Sequence, residues 1–115
     1  MIRIITKTPH LKEHFDLFSY ILNLNHVTLT DSKLVVPINK DTELIFISNP
    51  IQSGMLNIEL FVQESNDDII KRFEFYRYKK NVDFDLIYLS KNNEVLKITI
   101  LDSLCLSISQ GSYSL

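Results

Sequence analysis

Two histidines stand at a spacing that can bind metal. His10 and His14 are four residues apart, so on a helix they share one face. Zinc needs further ligands, however, and leucine rather than glutamate follows His10, so the His-Glu-x-x-His pattern of metalloproteases is absent. We therefore interpret the pair as the N-terminal surface of a helix, with His14 at the edge of the core.

Two other parts of the sequence carry side chains of types that take part in catalysis. Cys105 lies between Leu104 and Leu106 in an apolar stretch. A nucleophilic thiol needs an electropositive, partly open setting, so we expect Cys105 to be buried as a small hydrophobic residue. Asp83 and Asp85 share one side of a predicted strand, where paired carboxylates serve acid–base catalysis or bind cations. A solvated strand face accounts for them more simply, and no catalytic residue is predicted.

Basic side chains occur in two settings. One is a basic and aromatic cluster comprising Arg72, Phe75, Tyr76, Arg77, Tyr78, Lys79 and Lys80. Such clusters stack bases, but cations at the C-terminus of a helix are also favoured by its dipole, and no nucleic-acid partner is predicted. The other is Arg3, a charge in an otherwise apolar first strand. It either faces a cleft and holds a ligand's carboxylate or phosphate, or faces outward and protects a strand edge.

Composition narrows the class of protein. The chain has 115 residues, 45% hydrophobic and 23% charged, with a formal net charge of −2. These values are typical of a soluble globular domain and give no reason to expect an anionic membrane as partner. One cysteine excludes an intrachain disulfide, and no apolar run approaches the roughly 20 residues that span a bilayer. We expect a cytoplasmic protein.

Hydrophobic periodicity predicts the same order of elements in both halves. In the first half, a strand at 2–5 precedes a helix that begins with Thr8 and Pro9 and ends at Asn23, which tolerates the left-handed conformation. Strands follow at Val27–Thr30, Leu34–Ile38 and Glu43–Ser48. In the second half, Leu56–Val62 is a strand and Asn66–Lys80 a helix, although Phe73–Tyr78 also alternates as a strand would. Val82–Ser90 and Glu94–Leu101 form a hairpin across 91–93, Leu104–Ser109 is the last strand, and Gly111–Leu115 a tail.

The two halves can be aligned. Adding 58 to the residue numbers carries Ile2 onto Leu60 and the helical residue Phe15 onto Phe73. Adding 61 carries Asp41–Ser48 onto Asp102–Ser109, and so Phe46 onto Ser107. The chain is therefore predicted to be a single α+β domain, 1–115, built of two tandem βαβββ modules at 1–49 and 55–110.

A doubled βαβββ unit of this size resembles the vicinal oxygen chelate superfamily of glyoxalases, extradiol dioxygenases and bleomycin-resistance proteins. The segment 17–24, Leu-Phe-Ser-Tyr-Ile-Leu-Asn-Leu, is similar to that family's first helix ending, with Asn23 where glycine is usual. The segment 61–73 is similar to its strand-to-helix passage, and Asp102 with Leu106–Ile108 resembles its last strand. The resemblance implies a curved mixed sheet around a cleft, with the helices outside.

The resemblance also implies where a divalent metal would bind in the family's enzymes, through His, Gln or Glu on four strands. The matching positions here are occupied by Arg3, Phe46, Asn57 or Glu59, and Ser107. A guanidinium, a phenyl ring and a hydroxyl do not supply the ligands such an ion needs, and Glu59 alone offers one oxygen where about three protein ligands are required. No metal or other cofactor is predicted.

The predicted function is metal-free binding of a small molecule in the cleft, without catalysis. The predicted ligand-binding residues are Arg3, Phe46, Glu59, Phe61 and Ser107. The resemblance implies a homodimer, which would also cover exposed strand edges. Two alternatives stay open: a metal-dependent lyase or dioxygenase of the same superfamily, and a protein–protein interaction or inhibitor module with a filled cleft.

Overall fold

The structure is a computed structural model that describes residues 1–51, 54–80, 86–92 and 95–110. Its contacts divide the chain into a first unit, 1–54, and a second unit, 55–115. Each unit contains a four-stranded mixed sheet and a helical segment. The predicted α+β class with two tandem modules is confirmed. The predicted strand residues Asp83 and Asp85 and the predicted tail Gly111–Leu115 lie outside the described residues.

In the first unit the sheet order is β1-β4-β3-β2. The helical crossover after β1 returns the chain so that β1 and β4 run parallel, and the other pairs are antiparallel. The sheet buries Leu34, Val36, Leu44 and Phe46 on one face. The bounds of the strands are β1 Ile2–Thr8, β2 Thr28–Leu29, β3 Lys33–Asn39 and β4 Thr42–Ser48.

The first helical segment is an α-helix only in its first half. Helix α1 spans Leu11–Phe15 and continues as a π-helix over Asp16–Ile21. There the Leu22 N–H donates to the Leu17 carbonyl at 2.9 Å, five residues back. The helix begins at Leu11 with His10 at the N-cap position, so the predicted start at Thr8 and Pro9 is wrong. Thr8 is the last residue of β1, and its hydroxyl accepts the His10 N–H at 3.1 Å. Asn23 takes the left-handed conformation (φ 54°) that the sequence predicts at the helix end.

The second unit repeats this arrangement. Its sheet order is β5-β8-β7-β6, with β5 and β8 parallel. Helix α2 is continuous and buries Ile69, Phe73 and Tyr76, so the strand alternative for Phe73–Tyr78 is wrong. Lys91 and Asn92 belong to a strand rather than to the predicted turn, because they pair with Leu96 and Val95. The bounds are β5 Leu56–Val62, α2 Asn66–Lys80, β6 Ile87–Asn92, β7 Val95–Ile100 and β8 Leu104–Gln110.

The strand registers correct the alignment of the two halves. Each unit has a seven-pair parallel ladder, which begins with Ile2 opposite Thr42 in one and Leu56 opposite Leu104 in the other. Ile2 therefore corresponds to Leu56, an offset of 54 rather than the 58 that carried it onto Leu60, and Thr42 corresponds to Leu104, an offset of 62 rather than 61. Because a slip of one residue reverses the faces of a strand, Phe46 corresponds to buried Ile108 and not to Ser107.

Candidate functional site

The second sheet has one buried face and one face that its own core leaves uncovered, called here the open face. Alternation along each strand puts Leu60, Ile98, Leu106 and Ile108 on the buried side. The open face carries mostly hydrogen-bonding side chains, all exposed or half-buried: Asn57, Glu59, Phe61, Tyr88, Ser90, Lys97, Thr99, Cys105, Ser107 and Ser109. A sheet face this polar is suited to contact with water or a polar ligand.

A pocket lies on this face where β5 and β8 run side by side. Its volume is about 270 Å³, just below the roughly 300–1,000 Å³ of small-molecule sites, and it is lined by Asn57, Ile58, Glu59, Cys105 and Ser107. The two strands are hydrogen-bonded along seven residue pairs, including Asn57 opposite Cys105 and Glu59 opposite Ser107. The sheet therefore holds the lining residues in a preformed arrangement.

The lining side chains offer complementary hydrogen-bonding groups. The Glu59 carboxylate accepts, the Ser107 hydroxyl and the Asn57 amide both donate and accept, and the Cys105 thiol does so weakly. Cys105 is half-buried, so the expectation that it is buried is wrong. Its neighbours Leu104 and Leu106 are fully buried, and alternation turns the thiol to the open face, where the Thr99 hydroxyl donates to its Sγ at 4.0 Å.

The register adds a residue that the sequence did not single out. Lys97 lies directly opposite Ser107 on β7, and Ser107 lies opposite Glu59 on β5. Glu59, Ser107 and Lys97 thus form one row across three neighbouring strands, called here the polar row. The alternation of Leu96, Ile98 and Ile100 with polar residues places Lys97 on the open face, but only the strand order makes it a neighbour of Ser107.

The predicted ligand-binding residues are divided between the two units. In the second, Glu59 and Ser107 meet in the pocket, and Phe61, 42% exposed, lies beside them opposite Ser109. In the first, the Nε of Arg3 forms an ion pair with Oε1 of Glu43 at 2.9 Å, and the arginine side chain is 60% exposed.

Phe46, the other predicted residue of the first unit, is fully buried. Its ring centroid lies 4.5 Å from that of His14 and 5.9 Å from that of Phe18. It therefore packs in the core between the sheet and the helical segment, on the face opposite to Arg3.

The histidine pair has a structural role. His14 is fully buried rather than at the core's edge, and its Nδ1 donates to the His10 carbonyl at 2.6 Å. Burial lowers the pKa of His14 from 6.5 to about 4, because the imidazolium would lose its hydration, and the hydrogen bond to His10 opposes this in part. The neutral ring thus serves packing and a backbone hydrogen bond.

The residues at the implied metal positions do not fit a divalent ion. Arg3 is a paired cation, Phe46 is a buried hydrocarbon, and Ser107 and Glu59 together offer one carboxylate and one hydroxyl. Within the part of the chain that the structure describes, no three His, Cys, Asp or Glu side chains are grouped closely enough to hold a metal. Nor is any helix in those residues long and apolar enough to cross a membrane.

The basic and aromatic cluster on α2 has partners on the helix itself and on the segment before it. Arg77 lies over the Phe73 ring and Lys79 over the Phe75 ring, each 5.7 Å from the centroid. Arg72 pairs with Glu64 at 2.6 Å. These contacts supply partners for the cations, and Tyr76 is buried while Tyr78 is 86% exposed.

Neither a protein-family model nor a curated protein matches the sequence, but solved structures match it along nearly its whole length. The bleomycin-binding protein of Streptomyces verticillus, complexed with copper(II)-bleomycin, matches with a TM-score of 0.59 at 10% identity, covering 96% of this chain and 94% of that one. FosX, the fosfomycin resistance protein of Mesorhizobium loti, matches with a TM-score of 0.59 at 7% identity, covering 99% and 93%. Oxidase ChaP-H1 matches with a TM-score of 0.54 at 14% identity, covering 99% and 97%. At such identities the likeness extends to the fold alone.

Proposed function

Because the chain has the vicinal oxygen chelate fold that its sequence resembles, we propose that it binds a small organic molecule on the open face of its second sheet. The ligand is held by hydrogen bonds and released unchanged. The observation that carries the proposal is the pocket of about 270 Å³ in which Glu59 and Ser107 meet. A concave site with a few convergent polar groups is the usual form of a small-molecule site.

The fold supports this choice of function. A protein that shares it with this chain is a bleomycin-binding protein, solved with copper(II)-bleomycin. The same fold also carries a fosfomycin resistance protein and an oxidase, so the side chains of each site decide its use. Here the lining residues supply donors and acceptors on a rigid sheet.

The arrangement of the lining residues favours binding over reaction. A nucleophile is activated by a base within hydrogen-bond reach, whereas the described partner of the Cys105 thiol is the neutral hydroxyl of Thr99. General acid–base catalysis needs a proton donor or acceptor positioned against a reacting group, and the direct partner of Glu59 in the row is the uncharged hydroxyl residue Ser107. The residues at the family's metal positions likewise do not form a ligand set.

The binding proposal is tested by NMR on the full-length ¹⁵N-labelled protein with a library of fragment-sized molecules. Binders are expected to shift the amide signals of Asn57, Cys105 and Ser107. Ser107→Phe fills the pocket and is expected to remove these shifts. Ser109→Phe places the same ring on the same strand face outside the pocket lining, and should retain them. Shifts that persist in Ser107→Phe would place binding elsewhere and contradict the proposal.

The proposals that the protein binds no metal and catalyses no reaction are tested separately. Protein purified without chelator is expected to contain far less than one equivalent of zinc, nickel, iron or manganese by elemental analysis. One equivalent that is retained on dialysis would favour the metal-dependent lyase or dioxygenase instead. A fragment recovered after long incubation should have an unchanged mass, and a product that depends on the protein would show catalysis.

We also propose that the protein is a homodimer. In support, β1 is an edge strand of its sheet, and it exposes Ile2 and Ile5 at 61% and 59%. Apolar side chains on a sheet edge are commonly covered by another chain. Light scattering during size-exclusion chromatography should give twice the monomer mass of 13.4 kDa, and Ile2→Lys with Ile5→Lys should shift it toward the monomer.

A further inference from the structure

We infer that the ligand of this pocket is a small zwitterion, whose cationic group binds the Glu59 carboxylate in the pocket lining and whose anionic group extends beyond that lining to the Lys97 ammonium on the neighbouring strand β7. The inference rests on the proposed function, since it assigns a chemical class to the ligand of the same site. It depends on three features: the order of the polar row, the lack of partners for its charges, and the spacing between them.

The polar row places opposite charges on either side of a hydroxyl. Glu59 pairs with Ser107 across β5 and β8, and Ser107 pairs with Lys97 across β8 and β7. The alternation of buried and open residues puts all three on the open face. The Ser107 hydroxyl, which donates and accepts, stands at the centre, so it suits a polar group in the middle of a ligand.

The two charges at the ends of the row lack partners among the described residues. Glu59 and Lys97 are both exposed, and neither forms an ion pair or hydrogen bond with another described side chain. The first unit differs in this respect, because its Arg3 and Glu43 lie on adjacent strands and pair directly at 2.9 Å. Glu59 and Lys97 have a strand between them and do not pair in this structure.

The spacing fits a bridging molecule. Neighbouring strands are about 4.8 Å apart, so Glu59 and Lys97 are separated by roughly 10 Å at the backbone. Their side chains shorten this gap, and a ligand with charges about 5–8 Å apart can contact both. A singly charged ligand would leave one protein charge without a counter-charge, which gives the site a preference for molecules that carry both.

The inference is tested with three six-carbon probes that differ only in their charged ends: 6-aminohexanoate, hexylamine and hexanoate. Each is titrated into the full-length ¹⁵N-labelled protein, and its dissociation constant is taken from the amide shifts of Asn57, Cys105 and Ser107. We expect 6-aminohexanoate to bind about two- to fivefold more tightly than either singly charged probe, as one exposed charge pair allows.

Substitutions in the row assign each charge. Glu59→Gln should remove the preference over hexanoate, and Lys97→Gln the preference over hexylamine. Lys91→Gln, on the same hairpin but paired with Leu96 outside the row, should change neither. Exchanging the charges, with Glu59→Lys and Lys97→Glu together, should restore the preference for 6-aminohexanoate because the ligand can bind in the reverse direction.

The outcomes separate this inference from the proposed function. Pocket shifts with equal affinity for the three probes would overturn the zwitterion inference and leave small-molecule binding intact. A preference that survives Glu59→Gln and Lys97→Gln would also overturn it, because other charges would then be responsible. If neither these probes nor the fragment library shift the pocket amides, the proposed function itself is overturned.

Discussion

The first sheet, like the second, has a face opposite its buried one, also called the open face, and the two open faces carry different chemistry at equivalent positions. The parallel ladders make Ile5 equivalent to Glu59 and Ile45 equivalent to Ser107. Val35 lies opposite Ile45 as Lys97 lies opposite Ser107, so an aliphatic row in the first unit corresponds to the polar row in the second. One backbone arrangement thus presents a hydrocarbon strip in one unit and a charged, hydroxylated strip in the other.

The charged residues on the two faces also differ, because they are paired with each other on the first sheet and not on the second. Arg3 and Glu43 occupy adjacent strands and neutralise each other at 2.9 Å. Glu59 and Lys97 have a strand between them and stay available to a ligand. Opposite charges on adjacent strands therefore form an internal ion pair, whereas opposite charges with one strand between them form a candidate binding site.

The largest expected effect concerns the buried side of the first sheet. Phe46→Ala should destabilise the protein by about 3–5 kcal/mol in urea unfolding, because it leaves a cavity against His14 and Phe18. Ile45→Ala, at the next position on the half-buried open face, should cost clearly less. Similar costs for both would mean that the open face of the first unit is itself packed, and the comparison of faces would fail.

The next largest effect is a loss of folding stability at acid pH. His14 in the folded state has a pKa of about 4, against 6.5 when unfolded, so between these values the unfolded state binds a proton that the folded state does not. Stability should be retained above pH 6.5 and fall by about 3 kcal/mol as pH drops toward 4. Urea unfolding across this range measures the loss.

Variants isolate the contribution of His14 from that of carboxyl groups. His14→Leu lowers stability at pH 7 but should flatten the slope between pH 6.5 and 4. His26→Gln, which removes an exposed histidine, should leave the slope as it is. An unchanged slope in His14→Leu would show that other groups are responsible for the pH dependence.

A smaller effect is expected when the polar row of the second sheet is replaced by the aliphatic residues of the equivalent row in the first sheet. Glu59→Ile, Ser107→Ile and Lys97→Val together should weaken 6-aminohexanoate binding at least tenfold, or about 1.4 kcal/mol. Far-ultraviolet circular dichroism should stay the same, because β-branched residues suit these strand positions. Undiminished binding would mean that the polar row is not the contact surface.

The smallest effect is expected at the ion pair of the first sheet. Arg3→Gln and Glu43→Gln should each change the free energy of unfolding by less than about 1 kcal/mol, since the Arg3 side chain is 60% exposed to solvent, while that of Glu43 is 20% exposed. Neither should alter probe affinity at the second sheet. A tenfold loss of affinity in Arg3→Gln would instead support the sequence-based prediction that Arg3 contacts the ligand.

Local patterns in the sequence were sufficient for much of the fold. Alternation predicted Leu56–Val62 with the bounds that the structure has, and asparagine chemistry predicted the left-handed residue Asn23. These features depend on a few consecutive residues, which is why they can be read without tertiary information. The π-helical turn over Asp16–Ile21 was missed, because an apolar stripe at three- and four-residue steps does not distinguish one helical pitch from another.

The sequence by itself determined that the chain is a doubled α+β unit and that Glu59 and Ser107 belong to related strands. Only the tertiary structure decided that these two are direct neighbours, that Lys97 continues their row, and that Phe46 lies in the core instead of among them. The physical reason is that a one-residue change of register reverses every side chain of a strand. For Glu59 and Ser107 that register is set by pairing between strands 48 residues apart in the sequence, and not by the composition of either strand.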